Sequence, residues 1–595
     1  MKNIKMFRLR KISTVSVFLI LVFQNCFIKS DIIFYLLWCV VIIRLLMHLL
    51  TYDYDYWEKR GIFSPPALPF VGHIGTVATV KEQGGMCFKR IYDEHKEKRF
   101  FGTHQFYQRT LVVCDPDIIK RMCVNDFYHF TDRGFFFNKY TDPLAESILF
   151  LRGSEWKRLR AKISPIFSPN KLRGMFPILE NTANEFVERV KKLTQHNDIE
   201  HNKNLNGNSN IKTKEEIDGN NNSTIDDLIS FGEDIKGIEH KKSPKSTRSS
   251  EDSKIINAKK NCVKVDAEKL VGGYTADAIV PCAFGLKSNV MYNSKDPFAV
   301  ALHAFYEMSW FNIFQKTMRQ FWPAFVLFFK IRIIPKKTHD FFYNIVTKVL
   351  RDRSCGVQEK RGDFIDMMMA LQSDEKCDDE NDYKITDMII SANAFIIFLG
   401  GFETTSSTLA FLFLELASHP EVQEKMRKEI REVVERNGGL TYEALQDLTY
   451  MEMVIQETLR LYPPFPTVQR MCTKDYTVPE TGAVVEQGTI VLFPTLGVQR
   501  DEQYFENASQ FIPERWSEGK SAPRPGVYMP FGDGPRYCIG KRFAIIQMKC
   551  CLARLLPQIL IKPVGGHIRT QPFIADPLCP MTLHPTDSRV IITSL

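Results

Sequence analysis

The stretch PFGDGPRYCIGKRFA, residues Pro530–Ala544, sets one cysteine, Cys538, among glycines, a proline and cationic side chains. Gly532, Gly534 and Pro535 break regular structure before it. Gly540 comes next, and KRFAIIQMKCCLARLL then reads as an amphipathic helix. The sulfur is therefore expected at a loop-to-helix junction, where backbone N–H groups, the positive end of the helix dipole and the Arg536 cation favour a thiolate.

A lone thiolate does not build a structural zinc site, and no histidine lies nearer in sequence than His567. No cysteine-hydrolase signature surrounds it. A macrocycle that already binds iron through its own nitrogens needs one axial ligand from the protein, and thiolate is a known choice. Haem fits such a cysteine, with a buried structural thiol as the plain alternative.

Outward from this loop, helical periodicity dominates. ITDMIISANAFIIFLGGFETTSSTLAFLFLELASHP, Ile385 to Pro420, is apolar on nearly all sides and predicts a long helix through the middle of the molecule. MEMVIQETLRLYPP predicts a second helix ending at Pro463, and GTIVLFP a short strand. The fold class is mainly α with a small β part. The 45 phenylalanines supply a rich core, and a net charge of +9 with scattered basic residues gives no basis for nucleic-acid binding. The 14 cysteines show no CxxC pair, which indicates a reduced, cytosolic setting.

Three further motifs carry chemistry. In GGFETTSS, Gly400 and Gly401 imply close approach or local widening of the helix, and Glu403 with Thr404 sets an acid and a hydroxyl beside that soft spot, suited to delivering protons into a dry pocket. In ETLR, Glu457 and Arg460 share a helical face at ion-pair spacing, and FIPERW adds Arg515. In EWKRLR, Trp156 and Arg160 also share one face.

The pattern Phe531, Gly534, Arg536, Cys538, Gly540 resembles the haem-binding loop of the cytochrome P450 family. The resemblance runs from about Tyr56 to the end of the chain and looks closest to the microsomal branch with vertebrate drug-metabolising and insect detoxifying members. It implies the cytochrome P450 fold and haem b. Cys538 would be the proximal iron ligand and metal site, Phe531 would shield the sulfur, and Arg536 would pair a propionate. Trp156, Arg160 and Arg470 would add cofactor contacts, with Gly540 completing the loop. Glu403 and Thr404 would be the catalytic acid-alcohol pair. Glu457, Arg460 and Arg515 would form a buried structural triad. Ala394, Phe395 and Phe402 would line the pocket side of the long helix. One departure is Gln499, where the family usually has histidine; it bears on propionate or solvent contacts.

The resemblance further implies insertion of one atom of O2 into a lipophilic small molecule (xenobiotic, sterol or fatty acid). Electrons would come from NADPH through a separate NADPH-cytochrome P450 reductase, with cytochrome b5 as an optional second donor. The chain carries no GxGxxG after a strand that would bind flavin or nicotinamide itself. The competing readings are a haem-thiolate isomerase or dehydratase, and a non-catalytic haem-binding or lipid-binding membrane protein.

Residues 1–55 read as a membrane-anchor region. Ile32–Leu50 is apolar over roughly 28 Å as a helix, enough to cross a bilayer, with Arg44 placed to snorkel. A second apolar segment, 12–28, would either form a hairpin with it or lie along the interface. Pro65, Pro66 and Pro69 stiffen the chain between the anchor and the globular part. The expected site is the endoplasmic reticulum membrane, with the catalytic domain cytosolic. That domain is expected over 56–194 and 261–595, with the haem-binding loop at 530–544. Residues 195–260, rich in Asn, Lys and Ser, are expected to form a disordered insertion.

Overall fold

The computed structural model describes residues 31–205, 262–306, 328–332, 334–359, 361–373, 384–479, 481–519, 523–566 and 572–595. The apolar segment 12–28 and most of the insertion therefore fall outside the described residues. Helix Pro169–Leu205 runs past the expected boundary at Thr194.

The expected long helix forms as α1, Asp387–Ser418. Thr386 caps its start by accepting from the Ile389 N–H, and Pro420 cannot continue it. A helix with an apolar surface on nearly all sides needs neighbours on all sides. Helix Ala267–Phe284 packs along it, and helices Lys336–Ser354 and Thr449–Leu461 add further cover. Gly401 accounts for the closest approach: a Cβ there would stand 2.8 Å from Ile279 Cδ1. Gly400, one residue earlier, would meet nothing within 4 Å. The two glycines thus differ, Gly401 being needed for helix packing and Gly400 bordering open space.

Nine strands form three small sheets among the described residues. Strands β1 (Phe100–Gln105) and β2 (Gln108–Val113) make a hairpin. β7 (Ile490–Phe493) runs parallel to β2, and β4 (Val468–Met471) closes the four-stranded order β1-β2-β7-β4. β3 (Cys262–Asp266), β9 (Arg589–Ser594) and β8 (Ile559–Pro563) form a second sheet. β5 (Tyr476–Thr477) and β6 (Val484–Val485) form a third. A large core surrounds α1 and a smaller one fills the space behind the four-stranded sheet. The mainly α architecture with a small β part is as expected. Cys87, Cys114, Cys123, Cys282, Cys472, Cys550 and Cys551 are buried free thiols.

A helix occupies Asp31–Leu50, where the apolar N-terminal run was expected to be helical. Its end is tied to the β1–β2 hairpin region. The Phe70 N–H donates to the Leu50 carbonyl at 2.8 Å, Arg109 Nε pairs with Asp53 at 2.6 Å, and Trp57 Nε1 donates to the Thr103 carbonyl at 3.1 Å. Among the described residues, α1 is long and apolar enough to cross a membrane, but 22 of its 32 residues are buried as a core helix; the apolar stretch Trp38–Leu50 is shorter than a span.

Candidate active site

Cys538 lies where its flanks place it, one turn before helix α2, Lys541–Leu555, whose N-cap is Gly540. The loop is shaped by its own backbone. The Cys538 N–H donates to the Phe531 carbonyl at 2.8 Å, and Asp533 Oδ1 accepts from the Gly534 N–H at 2.7 Å. Gly534 has φ +69°, and a Cβ on it would lie 1.8 Å from the Cys123 carbonyl oxygen. Gly532 has φ +71° but open surroundings. Gly534→Ala is therefore expected to cost more than Gly532→Ala, adding a clash to a backbone strain of about 1–3 kcal/mol. Thermal unfolding of the two variants checks the order, and equal midpoints would refute it.

Burial pushes the Cys538 thiol up from its ordinary range, while the Gly540 N–H and the Arg133, Arg160 and Lys541 cations pull it down. Burial outweighs these groups, so the protein by itself favours the neutral thiol, and the cations only partly offset the cost of a negative sulfur.

Those cations are the second half of the site. The Arg536 guanidinium is buried 3.9 Å over the Trp156 ring. It donates to the carbonyls of Thr131 at 2.7 Å, Ile148 at 3.3 Å and Leu151 at 2.8 Å. Much of its hydrogen bonding is thus spent on pinning the segment around residues 131–151, and toward a propionate it offers charge and its remaining N–H groups. Arg160 stacks over Tyr537 at 4.8 Å, so both members of the Trp156/Arg160 pair touch the cysteine loop. Arg470, on β4, is buried; it donates to the carbonyls of Gln469 at 2.9 Å and Asp533 at 3.3 Å.

Arg133 completes the group, its Nη2 donating to the Arg536 carbonyl at 2.9 Å. Sequence reading passed over it; the available signal was a lone cation in the aromatic run FYHFTDRGFFF.

Burial, and then mutual repulsion, depresses Arg536 to about 8 and Arg133 to about 9; burial also lowers Arg470 and Arg160. A guanidinium stays charged in proteins, so these depressions measure how poorly the protein itself matches the positive charge. The carboxylate against the group, Asp132, reaches Arg536 only at 3.6 Å. Among the described residues, Arg470 Nε is a buried donor without an acceptor. A planar dianion with two carboxylates and an iron centre would suit this donor set: Arg133, Arg160, Arg470 and Arg536 would be the cations available to its propionates, and Cys538 the thiol available to its metal.

The triad residues meet. Glu457 and Arg460 are fully buried and paired through two bonds, at 2.8 and 2.9 Å. Arg515 Nε reaches the same carboxylate at 2.9 Å. Two partners were not foreseen: the Trp516 Nε1 at 2.9 Å and the Ile512 N–H at 3.0 Å also donate to Glu457. Gln499, which stands where the family usually has histidine, is fully buried. Its Nε2 donates to the Leu459 and Arg460 carbonyls at 3.0 and 2.9 Å, and its Oε1 accepts from the Met529 N–H at 2.9 Å. It ties the end of the ETLR helix to the segment leading into Pro530. A histidine has one N–H to offer when neutral and could not reproduce all three bonds.

On α1, Thr404 Oγ1 donates to the Gly400 carbonyl at 2.6 Å, beside the open position. Glu403 turns elsewhere, accepting from Thr582 Oγ1 at 2.8 Å, with His584 Nε2 at 3.4 Å. Ala394 and Phe395 are buried in the core, Phe395 against Phe342 and Phe305, while Phe402 is half-buried.

Helices around a central span, small sheets, and a half-buried cysteine ringed by arginines define a haem-thiolate enzyme. The family model for Cytochrome P450 matches residues 63–213 and 249–571, so the chain belongs to the cytochrome P450 family. The unmatched residues 214–248 lie inside the Asn-rich stretch. Similar proteins include Cytochrome P450 6B2 of Helicoverpa armigera, 28% identical over 88% of this chain and 91% of the relative. Probable cytochrome P450 6a23 of Drosophila melanogaster is 29% identical over 87% and 90%. Cytochrome P450 3A12 of Canis lupus familiaris is 30% identical over 88% and 91%. The chain is accordingly a cytochrome P450 monooxygenase similar to insect and vertebrate members of the family, with haem b as its cofactor.

Proposed function

We propose that this enzyme is a membrane-anchored monooxygenase that transfers one oxygen atom from O2 to a lipophilic small molecule, using NADPH electrons delivered by a separate reductase. The observation that carries the reading is the half-buried Cys538 at a helix start, with four poorly matched arginines around it. Haem, when bound there, supplies reductive activation of O2. The protein's own residues do the rest. The Cys538 sulfur is the one ligand the chain provides, and Arg133, Arg160, Arg470 and Arg536 orient the cofactor through its carboxylates. Thr404 and Glu403 supply a hydroxyl and a carboxylate from adjacent positions of α1, the hydroxyl bonded to the Gly400 carbonyl and the carboxylate to Thr582, and these are the groups that would handle protons.

A lipophilic substrate suits the aromatic setting: Phe135 and Phe137 both pack against Phe150, at 5.9 and 6.1 Å between ring centres. The endoplasmic reticulum membrane suits helix Asp31–Leu50, which is about 30 Å long at its 20 residues and exposes Val40, Ile42, Ile43, Leu45, Leu46 and Leu49. The hydrogen bonds at Leu50 and Asp53 would then fix the pose of the catalytic domain, which lies on the cytosolic side.

Purified enzyme reduced under carbon monoxide is expected to show the Soret band of thiolate-ligated haem, at the wavelength the family name carries. With purified reductase it is expected to consume NADPH and O2 together and to release an oxygenated product from a lipophilic probe. A band at the position of histidine ligation, or no NADPH-dependent O2 consumption across lipids, sterols and drugs, would reject the proposal.

A further inference from the structure

We propose that His584, in the C-terminal segment, is a positioning residue for proton delivery: its ring bridges Glu403 on α1 to Glu268 on helix Ala267–Phe284, holding the Glu403 carboxylate in place. The proposal rests on the monooxygenase reading of the site.

The bridge joins three elements that are distant in sequence. His584 Nδ1 pairs with Glu268 Oε1, and its Nε2 stands 3.4 Å from Glu403 Oε1 and 3.1 Å from Thr582 Oγ1. The Thr582 hydroxyl in turn donates to Glu403 at 2.8 Å. Side-chain exposure is 31% at Glu268 but 11% at His584 and 15% at Glu403. The line therefore runs from a partly exposed carboxylate to the acid beside Thr404.

The charged groups facing the imidazole are Glu268 and Glu403, from the two helices packed on this segment; its own segment contributes the Thr582 hydroxyl. Burial by itself would lower the His584 pKa. Hydrogen bonds to Glu268 and Glu403, together with their charges, outweigh it and raise the group from 6.5 to about 10. At neutral pH the ring is an imidazolium, both of its N–H groups facing acceptors.

Held this way, the Glu403 carboxylate stays on Thr582 and His584. The reaction needs this because oxygen transfer consumes protons as well as electrons: substrate, O2, two electrons and two protons give hydroxylated product and water. An organic hydroperoxide supplies oxygen and its electron pair together, giving product plus the alcohol, and draws no proton from solvent. Loss of the positioning residue should therefore separate the two modes.

The test uses the full-length holoenzyme, wild type and His584→Gln, with an alkoxycoumarin as lipophilic probe. Turnover driven by NADPH and reductase is expected to fall about tenfold in kcat with little change in KM, because only proton handling is disturbed. Turnover driven by cumene hydroperoxide is expected to fall less than about twofold. Equal losses in both modes would overturn the proposal in favour of a structural role, and no loss in either would overturn it outright.

A second readout does not use the reaction. A folded-state pKa raised above the unfolded value stabilises the fold fully below the unfolded value and loses that contribution as pH rises through the folded one. The melting-temperature advantage of wild type over His584→Gln is expected to be greatest below pH 6.5 and to shrink as pH approaches about 10. An advantage that does not change with pH would overturn the imidazolium bridge. If His584→Gln does not fold, Glu268→Gln, at the outer end, is expected to show a smaller shift of the same sign in both readouts; an unchanged ratio and an unchanged pH profile would overturn the proposal. Wild type that forms no product with either oxidant would refute the monooxygenase reading for this probe class, while the stability profile would still decide the bridge.

Discussion

Cys538→Ala is expected to leave a folded chain that no longer holds haem through sulfur, with the thiolate Soret band lost and NADPH-driven turnover at background. The expectation has two parts that come apart experimentally. The sulfur's bond from the Gly540 N–H is a single weak contact and burial disfavours its charged form, so the bare fold is expected to lose little. The loop is held by the Phe531 carbonyl, the Asp533 carboxylate and the glycine geometry, none of which involves the Cys538 side chain. Circular dichroism and thermal unfolding of the haem-free variant should match wild type prepared without haem. The reduced, carbon monoxide-treated spectrum should not. Retention of the wild-type spectrum in Cys538→Ala would refute the ligand assignment.

Glu457→Ala is expected to have the largest effect on stability. This carboxylate accepts bonds from Arg460, Arg515, Trp516 and the Ile512 backbone, and it has no solvent exposure. Its removal strands the fully buried Arg460, whose other bonds go to the carbonyls of Gln499, Ala508 and Gln510. Leaving a buried cation without its carboxylate costs about 3–5 kcal/mol. Arg515→Ala should cost less, because Arg515 is partly exposed and Glu457 keeps Arg460. Denaturant unfolding should give that order, along with low recovery of haem-loaded Glu457→Ala. A Glu457→Ala midpoint equal to that of wild type would refute the triad's structural role.

Local chemistry was legible in the sequence wherever a short stretch determines its own conformation. The glycines and proline before Cys538 announce a turn, and the helix after Gly540 is dictated by apolar spacing. The central helix comes from a long apolar run closed by Pro420; its observed span, Asp387–Ser418, departs from the expected one by only two residues at each end. The Glu457–Arg460 pair was readable from helical spacing, and its burial from the apolar residues around it.

The features that stayed hidden were set by contacts between distant stretches. Arg133 belongs to the cation group because the segment before helix Gly153–Ile163 folds over the cysteine loop, held there by Arg536. Gln499 is a buried tie because three backbone groups from two segments converge on its amide. His584 stands in CPMTLHPTD, where nothing marks it; only the return of the C-terminal segment across α1 brings it to Glu403 and Glu268.

The chain alone therefore determined which cysteine stands at a loop-to-helix junction, which helix runs through the core and which acid and alcohol are adjacent along it, because these depend on residues a few positions apart. Tertiary structure alone decided which arginines crowd that sulfur and which way the acid turns. Charge and hydrogen-bond partners act over a few ångströms in space, and separations of up to about 400 residues along the chain leave no trace of that nearness.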